Sequence, residues 1–410
     1  MGLGLKSVSV VFIFLFLTWF CSYGQEEVGE DLTRLNFKDG GRVVENVIQL
    51  NIPEMDYRLL HYTTGEKTPV DARRIIINGD TVKVSKISTR GQSSLMFWRK
   101  SLNCKLKSKV EFRHGERTES LKHFYLLSLS MDKYYCRNSI AFCLMEELGM
   151  FQLFHAYGEL RINGSSEGIY MIMERPEDWA LKERDSPLVL RRGYKHSVEK
   201  YKSAGKTDRE EARAYLKNYK QIYRVLKEYE GEALFTALGQ YMDVDFYMKW
   251  LVLNFLVHNG DYADEVFFYV DREIRKFRII PWDYDDIFAN TPHEGTKQRD
   301  KALGDKLLFS SEDLLDIKIA SDPYLYSLYL DRFREVLETL TLVRIKHIIE
   351  NTYAELLPYY SDPEIIGNAR YDNFNDASLG TLEFYLSRIY ILLYASRDGY
   401  LKTLEKQPGL

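Results

Sequence analysis

Asp261, Asp283, Asp285 and Asp286 flank two apolar runs, Val266-Phe267-Phe268-Tyr269 and Phe277 to Trp282. Runs of this kind predict two strands of a hairpin. Asp261 lies just before one arm and Asp283 just after the other, so antiparallel pairing brings both carboxylates to the same end. Acids gathered at one mouth can hold a hard divalent cation, and Mg²⁺ takes oxygen ligands from carboxylates, phosphates and water. Phosphoryl transfer uses that combination: one acid orients or deprotonates the attacking hydroxyl while another holds metal against the phosphates. The same spacing also fits acidic turn residues and helix caps.

Other chemistries lack their residues. The sequence has no H-E-x-x-H, C-x-x-C, Walker or G-x-G-x-x-G pattern. Its eight His do not cluster with Cys at zinc spacing. A net charge of −4 gives no case for a nucleic-acid partner.

The elements that must position the acids follow a leader. Residues 1–24 read as a cleavable signal peptide: Lys6, an apolar run from Val8 to Phe20 too short to span a bilayer, and small residues Ser22 and Gly24 before Gln25. A lipoprotein signal acylated at Cys21 is the alternative, against which bulky Trp19 and Phe20 stand. No later apolar run approaches the roughly 20 residues of a membrane helix. The expectation is an exported protein, periplasmic, cell-surface or extracellular, without a transmembrane anchor.

The fold class read from the remainder is α+β, with a strand-rich N-terminal lobe over 25–190 and a mainly helical C-terminal lobe over 191–410 that carries the acidic hairpin at 259–286. Ile75-Ile76-Ile77, Asn78-Gly79 and the alternating Val82 and Val84 predict a hairpin. A second spans Tyr157 to Ile162 and Gly168 to Glu174 around Asn163-Gly164, which also matches an N-glycosylation sequon but is explained by the turn. Leu102, Cys104 and Leu106 share one strand face, opposite Asn103, Lys105 and Lys107. A helix is predicted from Lys133 to Leu148 with Asp132 as N-cap, and it keeps Cys136 and Cys143 about 10 Å apart in rise, too far to bond. The Lys- and Glu-rich stretch from Lys195 to Glu230 reads as a solvated helical face or linker. A helix from Val244 to His258 presents Phe246, Trp250, Leu253 and Val257 to the core.

Together these segments resemble the CotH kinase family, named for spore coat protein H, whose members are similar to distant protein kinases. The resemblance rests on ordered motifs: Arg90-Gly91-Gln92-Ser93-Ser94, Arg99-Lys100-Ser101, Arg137-Asn138, Asn163-Gly164 with Gly168-Ile169-Tyr170 and Glu174, Asn259-Gly260-Asp261, and Pro281-Trp282-Asp283-Tyr284-Asp285. It implies a bilobal, atypical protein-kinase-like fold. It also implies transfer of the ATP γ-phosphate to Ser or Thr hydroxyls of a protein substrate with Mg²⁺, or Mn²⁺ as an alternative. Asp261 would be the catalytic aspartate and Asp283 the metal aspartate, with Asp285 and Glu265 as further metal ligands. Lys100 and Lys105 are candidates for phosphate contact, Glu174 for a lysine partner or the adenine pocket, Trp282 for stacking on adenine and Arg90 for a turn near the nucleotide. Where family members carry an Asn, this chain has Asp264-Glu265, a change compatible with a second metal ligand or with lost activity. A catalytically silent surface or matrix binding protein, and another nucleotide-dependent transferase, are the competing functions.

Overall fold

Short alternating apolar segments in the first half of the chain build a sheet that curls on itself. The computed structural model describes residues 31–38, 42–203, 205 and 209–405, so the signal peptide, its cleavage site and Cys21 lie outside the described residues. Eight strands come first: β1 (Val47–Leu50), β2 (Pro69–Val70), β3 (Arg74–Ile77), β4 (Asp80–Arg90), β5 (Ser101–His114), β6 (Arg117–Leu127), β7 (His155–Ile162) and β8 (Ser165–Glu174). Their order is β2-β4-β3-β1-β7-β8-β6-β5, and β4 also pairs with β5. That last pairing closes the sheet around an apolar interior of Ile48, Ile75, Leu102, Cys104, Leu106, Phe124, Leu160 and Ile172.

Both Asn-Gly turns form as their residues dictate. Ile77 pairs with Asp80, and Ile162 with Ser165, leaving two-residue loops. Asn78 and Asn163 take φ of 51° and 52°, and the glycines after them 92° and 91°, the left-handed pair that a tight hairpin needs. The Asn163 side chain accepts a hydrogen bond from the Ile52 N–H at 2.9 Å.

A smaller sheet follows, β9 (Leu188–Gly193), β10 (Ser197–Ser203), β11 (Val266–Asp271) and β12 (Lys276–Pro281), in the order β10-β9-β11-β12. Val266 pairs with Pro281, so the two arms of the acidic hairpin are in register from end to end. Ten helices of eight residues or more are described: α1 (Glu54–Tyr62), α2 (Arg137–Glu147), α3 (Arg209–Glu228), α4 (Gly231–Gly239), α5 (Val244–Leu256), α6 (Thr296–Leu303), α7 (Leu314–Ser321), α8 (Pro323–Thr339), α9 (Leu342–Tyr360) and α10 (Leu379–Glu405). The Asp243 side chain caps α5 by accepting from the Phe246 N–H at 3.1 Å. Trp250 and Leu253 of α5 are fully buried under the second sheet. No helix among the described residues is long and apolar enough to cross a membrane.

Two local expectations are corrected. The stretch from Lys195 is not helical at its start: β10 pairs there with β9, a charged edge strand whose few apolar residues conceal its alternation. The helix expected from Lys133 starts at Arg137, because Tyr134 and Tyr135 adopt left-handed φ of 56° and 63° and break the chain direction first. Asp132 still serves the helix, accepting from the backbone N–H groups of Arg137 at 2.7 Å and Asn138 at 2.9 Å. Cys104, Cys136 and Cys143 are thiols.

Candidate active site

Where the curled sheet meets the smaller one, a cleft of about 460 Å³ opens, and the hairpin acids lie along it. Asp261, Glu265, Asp283 and Asp285 all line it, together with Arg90, Arg191 and Trp282. Each is placed by local structure. After α5 the chain turns through Asn259, whose side-chain oxygen accepts from the Asp261 N–H at 3.2 Å and whose amide donates to the Asn254 side chain at 3.0 Å. Gly260 donates from its N–H to the Asp286 carbonyl at 3.0 Å, and Ala289 to the His258 carbonyl at 3.1 Å, lashing the two acidic loops together. A Cβ on Gly260 would collide with the end of the Asp286 carboxylate, which would have to turn aside, and would crowd the Ala289 Cβ at 3.2 Å.

The second acidic loop hangs from α2. Asn138 accepts from the Tyr284 N–H at 2.9 Å, and the Arg137 guanidinium donates to the Asp285 carbonyl at 2.6 Å. Arg137 also donates to the Tyr385 hydroxyl of α10 at 2.8 Å. Asp283 itself sits at φ 58°, a left-handed conformation that Asp and Asn adopt more readily than most residues.

Electrostatics follow from gathering acids in a deep cleft. Burial, then Asp264, pushes the Asp261 carboxyl up to about 6, and His293 pulls against that rise. Asp283 is raised by its depth in the protein although its side chain opens onto the cleft, while Arg90 and Arg191 oppose the rise. Burial and then Asp283 raise both Glu265 and Asp285 well above the carboxylate range. Acids that raise one another in this way make an oxygen-only donor set, which suits Mg²⁺ or Mn²⁺. Glu265 is also ion-paired to Arg191, which holds Glu199 at 3.0 Å with its other face.

The remaining sequence candidates divide. Arg90 lines the cleft with its guanidinium 4.2 Å from the Tyr125 ring centroid and 5.6 Å from that of Trp282. Trp282 is 3% exposed, packed edge to face on Tyr125 and Phe267 at the cleft wall. Gly91, at φ 107°, makes the turn that carries Ser93 and Ser94 into the lining. Lys100 is turned away: its ammonium is buried and donates to the carbonyls of Leu95, at 2.7 Å, and of Phe97. It fastens the cleft-lining turn from behind, and phosphate contact is not open to it in this position. Lys105 stands on the outer, exposed face of β5, opposite the buried Cys104 and Leu106, and is not part of the lining. Glu174 is buried on the far side of β8, where its carboxylate accepts from the Phe154 N–H at 3.1 Å, and burial pushes its pKa to about 7.

Several lining residues escaped sequence reasoning. Lys200 and Lys202 of β10 reach the buried Glu177 at 2.9 and 3.2 Å, with Arg175 at 3.6 Å. Burial pushes the Glu177 carboxyl up, but Lys200, Arg175 and Lys202 outweigh it and hold it down at about 2. Only the period-two spacing of Lys200 and Lys202 signals them. His293 and Glu312 come from loops with no local signal, yet with Asp261 they offer atoms all within 4.8 Å of one another.

The family model described as CotH kinase protein matches residues 87–390 of this chain. Inner spore coat protein H of Bacillus subtilis (strain 168) is 22% identical over 262 residues, covering 60% of this chain and 69% of that protein. Among solved structures, the HipA, HipB and operator DNA complex of a Shewanella oneidensis MR-1 toxin–antitoxin system aligns at 13% identity with a TM-score of 0.32, over 73% of this chain and 64% of that one. The present chain therefore spans just under two thirds of that HipA-complex chain. The Helicobacter pylori proinflammatory kinase CtkA aligns at 12% identity with a TM-score of 0.31, over 68% of this chain and 94% of that one.

Proposed function

This chain belongs to the CotH kinase family, and on that premise we propose that it is an exported kinase that transfers the ATP γ-phosphate to Ser or Thr hydroxyls of a protein. The observation that carries the reading is the lining of one cleft by Asp261, Asp283, Asp285 and Glu265 between the two sheets. Asp283 and Asp285, with Glu265, would hold Mg²⁺, whose charge offsets that of the phosphates when it is bound. Arg90 and Arg191, which line the same cleft, supply positive charge that acts on Asp283. Asp261 accepts the proton of the incoming hydroxyl. That role suits a carboxyl near 6, which is ionised at neutral pH yet basic enough to take a proton. Trp282, Tyr125 and Met131 supply the apolar part of the lining.

Calorimetric titration of Mg²⁺-ATP, paired with a γ-phosphate transfer assay, tests this. Asp283→Asn should weaken Mg²⁺-dependent nucleotide binding and abolish transfer, while Asp261→Asn should leave binding nearly intact and slow transfer by about 10²-fold or more. A protein that binds no nucleotide at millimolar Mg²⁺ would sink the kinase reading. A catalytically silent binding protein is the second reading, favoured by one observation: Glu265, of the Asp264-Glu265 pair that stands where the family resemblance implies Asn, is engaged by Arg191.

A further inference from the structure

Asp261 is not alone at the end of its loop. His293 donates from its backbone N–H to the Gly260 carbonyl at 2.9 Å, which fixes it beside the residue that precedes Asp261. Its ring Nδ1 lies 3.2 Å from the Glu312 carboxylate. Glu312 is held in turn: its N–H donates to the Ser310 hydroxyl at 3.3 Å, and Glu294, next to His293, accepts from the Ser310 and Ser311 hydroxyls at 3.1 and 2.9 Å. Two loops separated by helix α6 are thereby locked so that imidazole, Asp261 and Glu312 converge within 4.8 Å.

We infer that His293, braced by Glu312, is a positioning residue for Asp261, a cation that holds the carboxylate ready to accept the hydroxyl proton. The inference rests on the kinase reading of Asp261. The groups acting on Asp261 include three acids, Asp264, Glu312 and Asp283, all of which disfavour its ionised form, while His293 favours it. The bond to Glu312 raises the His293 pKa most, burial works against that rise, and Asp261 and Asp264 add to it. It also acts on Asp286, the other acid of the neighbouring loop. In the transfer step the hydroxyl proton passes to Asp261 as the hydroxyl oxygen bonds to the γ-phosphorus. The bond from that phosphorus to the β–γ bridging oxygen breaks, ADP leaves, and Asp261 returns the proton to water. In its protonated form the imidazole opposes the repulsion from neighbouring acids that favours a protonated Asp261.

The test compares the full chain with His293→Gln and His293→Lys. Transfer from γ-labelled ATP to casein is followed across pH, and the Asp261 carboxyl is titrated directly by ¹³C NMR, assigned by its absence in Asp261→Asn. His293→Gln should move the acid limb of kcat upward by about one pH unit, a tenfold loss below the limb, with KM for Mg²⁺-ATP nearly unchanged. The Asp261 carboxyl signal should shift by the same amount, and His293→Lys should restore both. An Asp261 titration that does not move in His293→Gln overturns the inference, whether or not casein is labelled. Absence of transfer by the unsubstituted protein, with the NMR shift present, overturns the kinase reading and leaves the electrostatic coupling standing.

Discussion

The Asn138 side chain accepts a hydrogen bond from the backbone N–H of Tyr284 at 2.9 Å, joining the first turn of α2 to the loop that bears Asp283 and Asp285. Asn138 is nearly fully buried, and its amide nitrogen donates to Asp132 at 2.8 Å, so the contact has no slack to move. Asn138→Ala leaves the Tyr284 N–H without its partner and removes one of two hydrogen bonds to an Asp132 oxygen, which keeps the backbone N–H of residue 138. The expected cost is about 1–3 kcal/mol of stability in urea unfolding. Calorimetry should show weaker Mg²⁺-ATP binding as well, since the acid loop loses its tether.

Gly260→Ala should be more damaging to turnover than to folding. The added methyl must turn the Asp286 carboxylate aside, and it crowds the Ala289 Cβ at 3.2 Å in the segment that follows Asp283 and Asp285. A transfer assay is expected to fall by about 10²-fold, on the scale of a misplaced catalytic group, with circular dichroism unchanged.

Glu174 gives a pH dependence with a definite sign. Its folded pKa, about 7, lies above the ordinary glutamate value of 4.5, so the fold holds this proton where the unfolded chain releases it. The stabilisation is complete below 4.5 and is lost as pH rises toward 7. Glu174→Gln removes the titration and should make the protein more stable than the original at ~pH 8, by on the order of 2 kcal/mol, and not at ~pH 4. Urea midpoints at the two pH values decide it.

Arg99→Met strands a carboxylate. Arg99 and Asp372 are fully buried and ion-paired, and Arg99 also donates to the Glu167 carbonyl at 2.8 Å. Loss of the guanidinium alone should cost roughly 3–5 kcal/mol, and adding Asp372→Leu should recover part of it. Thermal unfolding of the single and double variants measures the difference.

The parts of the site legible in the sequence are those that depend on neighbours along the chain. Asn78-Gly79 and Asn163-Gly164 dictate their turns because few other pairs accept two left-handed residues in succession. Asp261 and Asp283 follow from strand pairing alone, since Val266 meets Pro281 and their ends coincide. Distant partners leave no such trace. Lys100 carries the right charge for phosphate, but its ammonium is spent on two carbonyls of its own turn. Lys200 and Lys202 lie in a charged stretch that resembles a helix surface until β9 pairs with it. His293 and Glu312 are nineteen residues apart and meet only through the serines that Glu294 holds.

The left-handed backbone at Asp283 has a bearing on descent. Alanine there would add backbone strain to the loss of charge, whereas asparagine keeps the loop and discards the charge alone. Codons for aspartate and asparagine differ in their first base, so a single transition yields a chain with this cleft intact and the proposed metal aspartate neutral. Drift from a kinase to a binding protein therefore needs no unfolded intermediate along the way. On the proposed kinase reading, a relative with Asn at this position is a folded protein that has lost its metal aspartate, and reversion of that one base is the experiment that asks whether the rest of its machinery has survived.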